Sequence, residues 1–272
     1  MKKWYLTSFF MLIIGVVIAV AGYFGGGRQA VDISNFPHVQ AISQANSVAQ
    51  HQQWQDTGSF KRLTVDVNHT DVVIKTGKHA QVDYKGNPNV KLKVTNDGET
   101  LSIKQVSKAK AQPRVQLKDA TVWGQDRPTQ SGKLIITVTK DQLAALRVNT
   151  HVTKPGDLEI WNVKVKQLTA VAHEAVLENV ESETTKLTAA DDITIDNPTF
   201  ANTANVLSKH GDIDVSQIDP RSGYQATATA GDVELFNAEG ENTTLTRNPT
   251  ANTQLHFTAM TGDVSIRKGM TD

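Results

Sequence analysis

No cysteine occurs among the 272 residues, which removes disulfides, thiolate metal sites and a cysteine nucleophile from consideration. Aromatic residues are scarce at 6%. Beyond residue 60 only Trp123 and Trp161 offer indole platforms. The eight histidines, at 38, 51, 69, 79, 151, 173, 210 and 256, show no paired metal-binding spacing. Ser102, Ser131 and Ser216 lack the context of a nucleophile elbow. Neither common glycine-rich phosphate loop is present, and no glycine-rich calcium nonapeptide repeats. With no catalytic constellation and no cofactor motif, the chain reads as a non-enzyme that needs neither cofactor nor metal.

A net charge of zero conceals an asymmetry. Residues 61–154 hold 17 Lys/Arg against 8 Asp/Glu, whereas residues 155–272 hold 8 against 18. Opposite fields on two halves imply different surroundings or partners; the plainer alternative is chance within a repetitive chain. An exported domain without net positive charge is a poor ligand for nucleic acid.

Export is read from the N-terminus. Met1-Lys2-Lys3 precedes an uncharged run from Trp4 to Gly27, just long enough at about 20 residues to cross a bilayer. Trp4 and Tyr5 at one end and Tyr23 and Phe24 at the other sit where interfacial aromatics belong. The lysines before the span favour a cytoplasmic N-terminus and an extracytoplasmic main domain. Ala19-Val20-Ala21 also fits signal-peptide cleavage and secretion. The resulting organisation is a membrane anchor (or signal peptide) over 1–28, a Gln-rich spacer over 29–58 with some helix from Val39 to Gln53, and a domain over 59–272. Trp54 is the candidate first contact with that domain.

From Phe60 onward apolar residues alternate with polar ones, as at Leu63, Val65 and Val67, Val90, Leu92 and Val94, and Leu134, Ile136 and Val138. Turn chemistry separates these runs, for instance Asn96-Asp97-Gly98. No convincing long amphipathic helix follows residue 60. The stretch Val106 to Gly132 is irregular and reads as a long excursion between strands.

The second half repeats Gly-Asp followed by an alternating strand: Gly156-Asp157-Leu158, Gly211-Asp212-Ile213, Gly231-Asp232-Val233 and Gly262-Asp263-Val264. Degenerate copies stand at Asp191-Asp192-Ile193 and around Glu174 to Leu177. First apolar positions at 158, 176, 193, 213, 233 and 264 give steps of 18, 17, 20, 20 and 31. A step near 20 predicts stacked coils, each unable to bury its apolar face alone. The fold class is therefore all-β, a stacked-coil β-solenoid behind a single N-terminal transmembrane helix. The 31-residue step reads as a loop around Asn248-Pro249 inserted into one coil. The strand through Ile266 becomes an edge that Arg267 and Lys268 would discourage from pairing with another chain.

Gly supplies the positive φ of a corner and Asp bonds turn amides, so the motif is explained structurally. If Asp192, Asp212, Asp232 and Asp263 occupy equivalent corners, carboxylates spaced about 4.8 Å apart would also invite Ca²⁺. A carbohydrate-active enzyme is a further alternative, but it requires two carboxyls in a cleft, and no pair is singled out. The basic cluster Lys104, Lys108, Lys110, Arg114 and Lys118 is the leading binding candidate, since no acidic residue intervenes between Glu99 and Asp119. Anionic envelope polymer or lipid headgroups are its natural partners.

The anchor, the early strands, Asp97-Gly98-Glu99-Thr100-Leu101-Ser102-Ile103, the strand Leu134 to Val138 and the Gly-Asp-Val/Ile repeats together resemble a bacterial surface-protein family named putative adhesins, which includes the LiaG-like proteins. The resemblance spans about residues 59–272. It implies a toast-rack β-solenoid, an adhesion or envelope-stress role and a membrane protein of an envelope-stress system as a possible partner. It supplies no catalytic residues. Glu174-Ala175 and Asp191-Asp192 depart from the Gly-Asp pattern, which implies distortion over residues 165–200.

Overall fold

A computed structural model of the chain describes residues 30–35, 38–42, 50–55, 57–86, 90–106, 132–141, 143–150 and 156–269. The predicted anchor lies outside them, and no helix among the described residues is long and apolar enough to cross a membrane. The first strands are β1 (Ala30–Asn35), β2 (His38–Ile42), β3 (Gln50–Gln55), β4 (Arg62–Asp66), β5 (Thr70–Thr76) and β6 (Gln81–Gly86). Next come β7 (Leu92–Asn96), β8 (Thr100–Gln105), β9 (Gly132–Val138), β10 (Leu143–Asn149), β11 (Leu158–Trp161) and β12 (Lys164–Ala172). The repeat region continues with β13 (Ala175–Glu178), β14 (Glu181–Ala189), β15 (Ile193–Asp196), β16 (Thr199–Ser208), β17 (Ile213–Ile218) and β18 (Gly223–Ala228). The chain closes with β19 (Asp232–Leu235), β20 (Ala238–Glu241), β21 (Thr244–Arg247), β22 (Gln254–Ala259) and β23 (Val264–Lys268).

β1 and β2 form an antiparallel pair, a two-stranded sheet of their own that belongs to a separate compact unit of the chain. All remaining strands build two sheets. Sheet 1 has ten strands in the order β21-β18-β22-β16-β14-β12-β10-β4-β8-β7; sheet 2 has eleven, in the order β20-β19-β23-β17-β15-β13-β11-β5-β9-β6-β3. The segment read as helix-containing spacer supplies strands instead. β3 pairs antiparallel with β6, and Trp54 packs against the core. β3 is an edge strand, so one apolar side chain, Trp54, among glutamines and His51 suffices to fix it to the core.

Each coil contributes one strand to each sheet, and coils stack in parallel register. Inward side chains therefore fall into ladders. In sheet 2 one ladder runs Ile74, Ile160, Leu177, Ile195, Val215, Ile266 and Leu235, all at most 3% exposed. β-branched and Leu side chains suit this pleated, doubly neighboured position. In sheet 1 a parallel ladder places Thr185 between Leu168 and Ala204. Its hydroxyl lies 2.5 Å from that of Ser182, so the polar pair inside the core is satisfied.

Four readings of the sequence are corrected here. Register pairs Leu158 with Ala175, so Ala175 points inward and Val176 is 39% exposed; His173-Glu174 holds the place of Gly-Asp. The distortion expected over residues 165–200 narrows to one place, a register shift between Ser182 and Thr184 where β14 meets β16; the pairings of β11 with β13, β12 with β14 and β13 with β15 keep constant register. The 31-residue step is a cap followed by a crossing, not a loop in one coil. β20 and β21 run antiparallel against β19 and β18, after which β22 and β23 slot between the β16/β17 and β18/β19 coils. Consequently β23 is no edge, since it pairs on both sides. The edges are the short β20 and β21 at one end and β7 and β3 at the other, and antiparallel closure blunts them.

The opposite end mirrors this arrangement. β8 and β9 lie outside β4 and β5, with β7 and β6 antiparallel against them. At both ends, then, a coil stands out of chain order and an antiparallel strand covers it.

Candidate interaction surfaces

Between sheet 1 and sheet 2 the chain turns two kinds of corner. At the first, carboxylates stack and interlock. The amide N–H of Asp212 donates to Asp192 Oδ1 at 2.9 Å, that of Asp263 to Asp212 Oδ1 at 2.8 Å, and that of Asp232 to Asp263 Oδ1 at 2.8 Å. Each aspartate caps the next coil's amide rather than its own turn. Spatial order is 192, 212, 263, 232, which chain order does not disclose. Asp157 continues the row by donating its amide to Asp71 Oδ1 at 3.3 Å. This is the turn-capping role, and among the described residues no group of three or more His, Asp or Glu side chains converges on a metal position.

The glycines at this corner serve two needs. Gly231 and Gly262 adopt φ of 150° and 120°, where a side chain is strained. Gly156 and Gly211 do not take positive φ, contrary to the sequence reading. Their constraint is space: a Cβ at Gly211 would lie 2.2 Å from Asp192 Oδ1.

Replacing Asp212 with Ala leaves the Asp263 amide without its acceptor and lowers unfolding free energy by about 1 kcal/mol. Asp212→Asn retains Oδ1 and stays close to wild type. Urea unfolding of both variants checks this; equal losses would show that charge, not the acceptor, matters.

Glu174 occupies the aspartate position one coil away. Burial, and then the charge of Asp157, push its carboxyl above the ordinary value of 4.5. The folded state thus holds this proton more tightly than the unfolded chain, so stability is full below the unfolded value and is lost as pH rises through the folded one. Glu174→Gln therefore melts higher than wild type at pH 7, and the two converge below about pH 4.5. Thermal melts across pH 3.5–8 test the sign.

The second corner carries a feature that sequence reasoning missed. Asn162, Asn179 and Asn197 take φ of 56°, 51° and 48°, the left-handed region that Asn tolerates. Asn179 Nδ2 donates to Asn162 Oδ1 at 3.2 Å and Asn197 Nδ2 to Asn179 Oδ1 at 2.6 Å. The signal was legible as Asn recurring at steps of 17 and 18, in phase with the strands.

Of the basic cluster, only Lys104 is described. It lies exposed on β8, with Lys93 opposite on β7 and Asp66 on β4. Lys108, Lys110, Arg114 and Lys118 lie outside the described residues, as does Trp123. The charge asymmetry acquires a spatial form. Strands of sheet 1 carry eight Lys/Arg against Asp66, Glu181 and Glu183, while those of sheet 2 carry ten Asp/Glu against five Lys/Arg. An open concavity of about 400 Å³ on sheet 2 is lined by Asp232, Val233, Glu234, Glu239, Gly240 and Glu241. No aromatic ring is among its lining residues.

No curated protein matches the chain. Among solved structures, a putative cell adhesion protein from Clostridium sporogenes ATCC 15579 is similar at 14% identity and a TM-score of 0.44, covering 81% of this chain and 99% of that one. A putative adhesin from Bacteroides fragilis NCTC 9343 shares 12% identity at a TM-score of 0.32, covering 82% of this chain and 97% of that one. The family model described as Toastrack DUF4097 matches residues 60–268, the span that holds both sheets from β4 through β23. The chain belongs to the Toastrack DUF4097 family.

Proposed function

We propose that this protein is a non-catalytic, membrane-anchored module of the cell surface, whose solenoid contacts phosphate-bearing anionic polymer or lipid of the envelope. The charged apolar-run-charged pattern of residues 1–28 supports the anchor. The observation that carries the binding reading is the basic end of sheet 1, where Lys93 and Lys104 stand opposite one another and lead directly into the Lys108, Lys110, Arg114 and Lys118 stretch. Near an anionic surface each such residue adds about 1 kcal/mol. In-register ladders hold both faces stiff, which suits an extended partner.

The full chain, reconstituted in discs of neutral lipid, is titrated with polyglycerol phosphate and separately with vesicles containing anionic lipid, over 50–500 mM salt. A companion protein carries Gln at Lys104, Lys108, Lys110, Arg114 and Lys118. Binding that weakens at least tenfold with salt and is lost in the companion supports the reading, and the two arms separate polymer from lipid. Absence of binding by the folded wild type removes it.

A further inference from the structure

One row of outward side chains on sheet 1 offers hydrogen-bond donors on every strand and is interrupted by no carboxylate. Thr95, Ser102, Thr64, Arg147, Thr169 and Lys186 stand side by side in register across β7, β8, β4, β10, β12 and β14. The row continues through Asn205, His256, Gln225 and Thr246 on the remaining four strands. At about 4.8 Å per strand it runs for about 43 Å along the solenoid axis, across the strands. The matching outward row of sheet 2 has the opposite character. It carries Asp83, Glu159, Asp214, Glu234 and Glu239 and no cation. An anion is therefore drawn to sheet 1 and repelled by sheet 2.

The cations within and beside this row are free. Arg147 and Lys186 belong to it, Lys93 and Lys104 lie two residues to one side on β7 and β8, and Arg62 two residues to the other side on β4. All five are exposed, and none shares an ion pair among the described residues. The carboxylates of the same strands are engaged or matched. Asp66 accepts from Asn149 Nδ2 at 3.3 Å, and Glu181 lies 2.6 Å from Lys164 Nζ. Glu183 stands level with Lys166, between the Val165–Ser182 and Gln167–Thr184 pairs. The uncompensated charge is positive, and it extends from β7 to β14, about 24 Å at the strand spacing.

We propose that this row seats a linear phosphodiester polymer, laid along the solenoid axis from β7 to β14. The inference rests on the anionic-partner reading above and chooses polymer over lipid. Arg147 presents paired N–H donors that match a phosphate. Between the cations, the hydroxyls of Thr64, Ser102 and Thr169 donate to phosphate oxygens and accept from polymer hydroxyls. A membrane surface is gripped by apolar or aromatic side chains set among the cations. The exposed large apolar residues, Val106, Val176 and Met260, all lie off this row. Register holds the donors at fixed steps, so each phosphate bound brings the next close to its own site and affinity grows with chain length.

The full chain in discs of neutral lipid is titrated with glycerol phosphate dimer, with long polyglycerol phosphate and with anionic vesicles, across a salt series. Wild type is expected to bind the long polymer at least tenfold more tightly per phosphate than the dimer. Arg147→Gln with Lys186→Gln weakens polymer binding at least tenfold. It also flattens the slope of log affinity against log salt by about 1.4, two contacts at about 0.7 each. Thr169→Glu sets a carboxylate between those two cations and costs at least as much without removing either; if it fails to melt cooperatively, the Gln pair carries the test. Lys75→Gln with Lys268→Gln removes the same charge from sheet 2 and leaves affinity within twofold. If folded wild type binds neither polymer nor vesicles, the anionic-partner reading fails and takes this inference with it. If polymer binding is lost in the companion with Gln at Lys104, Lys108, Lys110, Arg114 and Lys118 but survives in the row variants, this inference alone is overturned. Row variants that lose vesicle binding while keeping the polymer overturn it as well, and assign the row to lipid.

Discussion

A chain ending at Asn252 loses protection from hydrogen exchange in β18 and β19 as well as the two strands removed. Deleting the last coil in chain order takes out an interior coil in space. β22 is the parallel neighbour of both β16 and β18, and β23 that of both β17 and β19. Leu255, Phe257, Val264 and Ile266, each at most 1% exposed, leave with it. At about 1.5–3 kcal/mol per large side chain, the loss is comparable to the whole stability of an ordinary domain. Amides of Gly223–Ala228 and Asp232–Leu235 are thus expected to exchange as open segments, while β12 to β15 keep part of their protection, since a solenoid coil depends mainly on its neighbours. Retained protection across residues 223–235 would mean that β18 re-docks on β16, and would overturn the prediction.

Leu177→Ala is expected to lower unfolding free energy by about 2–5 kcal/mol. Leu177 is fully buried and its ladder neighbours are Ile160 and Ile195. Those neighbours belong to separate coils held by in-register backbone bonds, so the backbone resists collapse into the cavity and the upper part of the range applies. Val176→Ala, one residue away but outward, changes stability by less than about 0.5 kcal/mol. Urea unfolding of the two variants checks the register directly. A larger loss at Val176 would place the wrong residue in the core.

The comparison of these neighbours shows where sequence reasoning reached its limit. Period two marked this strand, but Ala175-Val176-Leu177 offers apolar residues in both phases, and choosing Val176 over Ala175 is natural from hydrophobicity alone. Stacking resolves it: Leu177 must follow Ile160 in the ladder, which sends Val176 outward. The Asp row was anticipated in kind, as turn capping. Its reach from coil to coil was not, because the amide that each carboxylate accepts belongs to a residue 20 to 51 positions away. The Asn ladder was visible as a recurrence and went unread, since one Asn after a strand is ordinary turn chemistry and only its stacking is informative.

Local chemistry in the sequence by itself determined the all-β class, the coil length, the corner residues and the absence of the usual catalytic motifs. Alternation, turn residues and repeat steps depend on neighbours along the chain, and so they are legible there. Only the tertiary structure decided the spatial order of the coils, the closure of both ends and the sorting of charge onto opposite faces. A parallel strand finds its partner by matching inward side chains and capping groups, not by proximity in sequence. Once β20 and β21 have turned back against the end, the remaining residues can bury their apolar faces in the slot between two earlier coils, and nothing local announces that position.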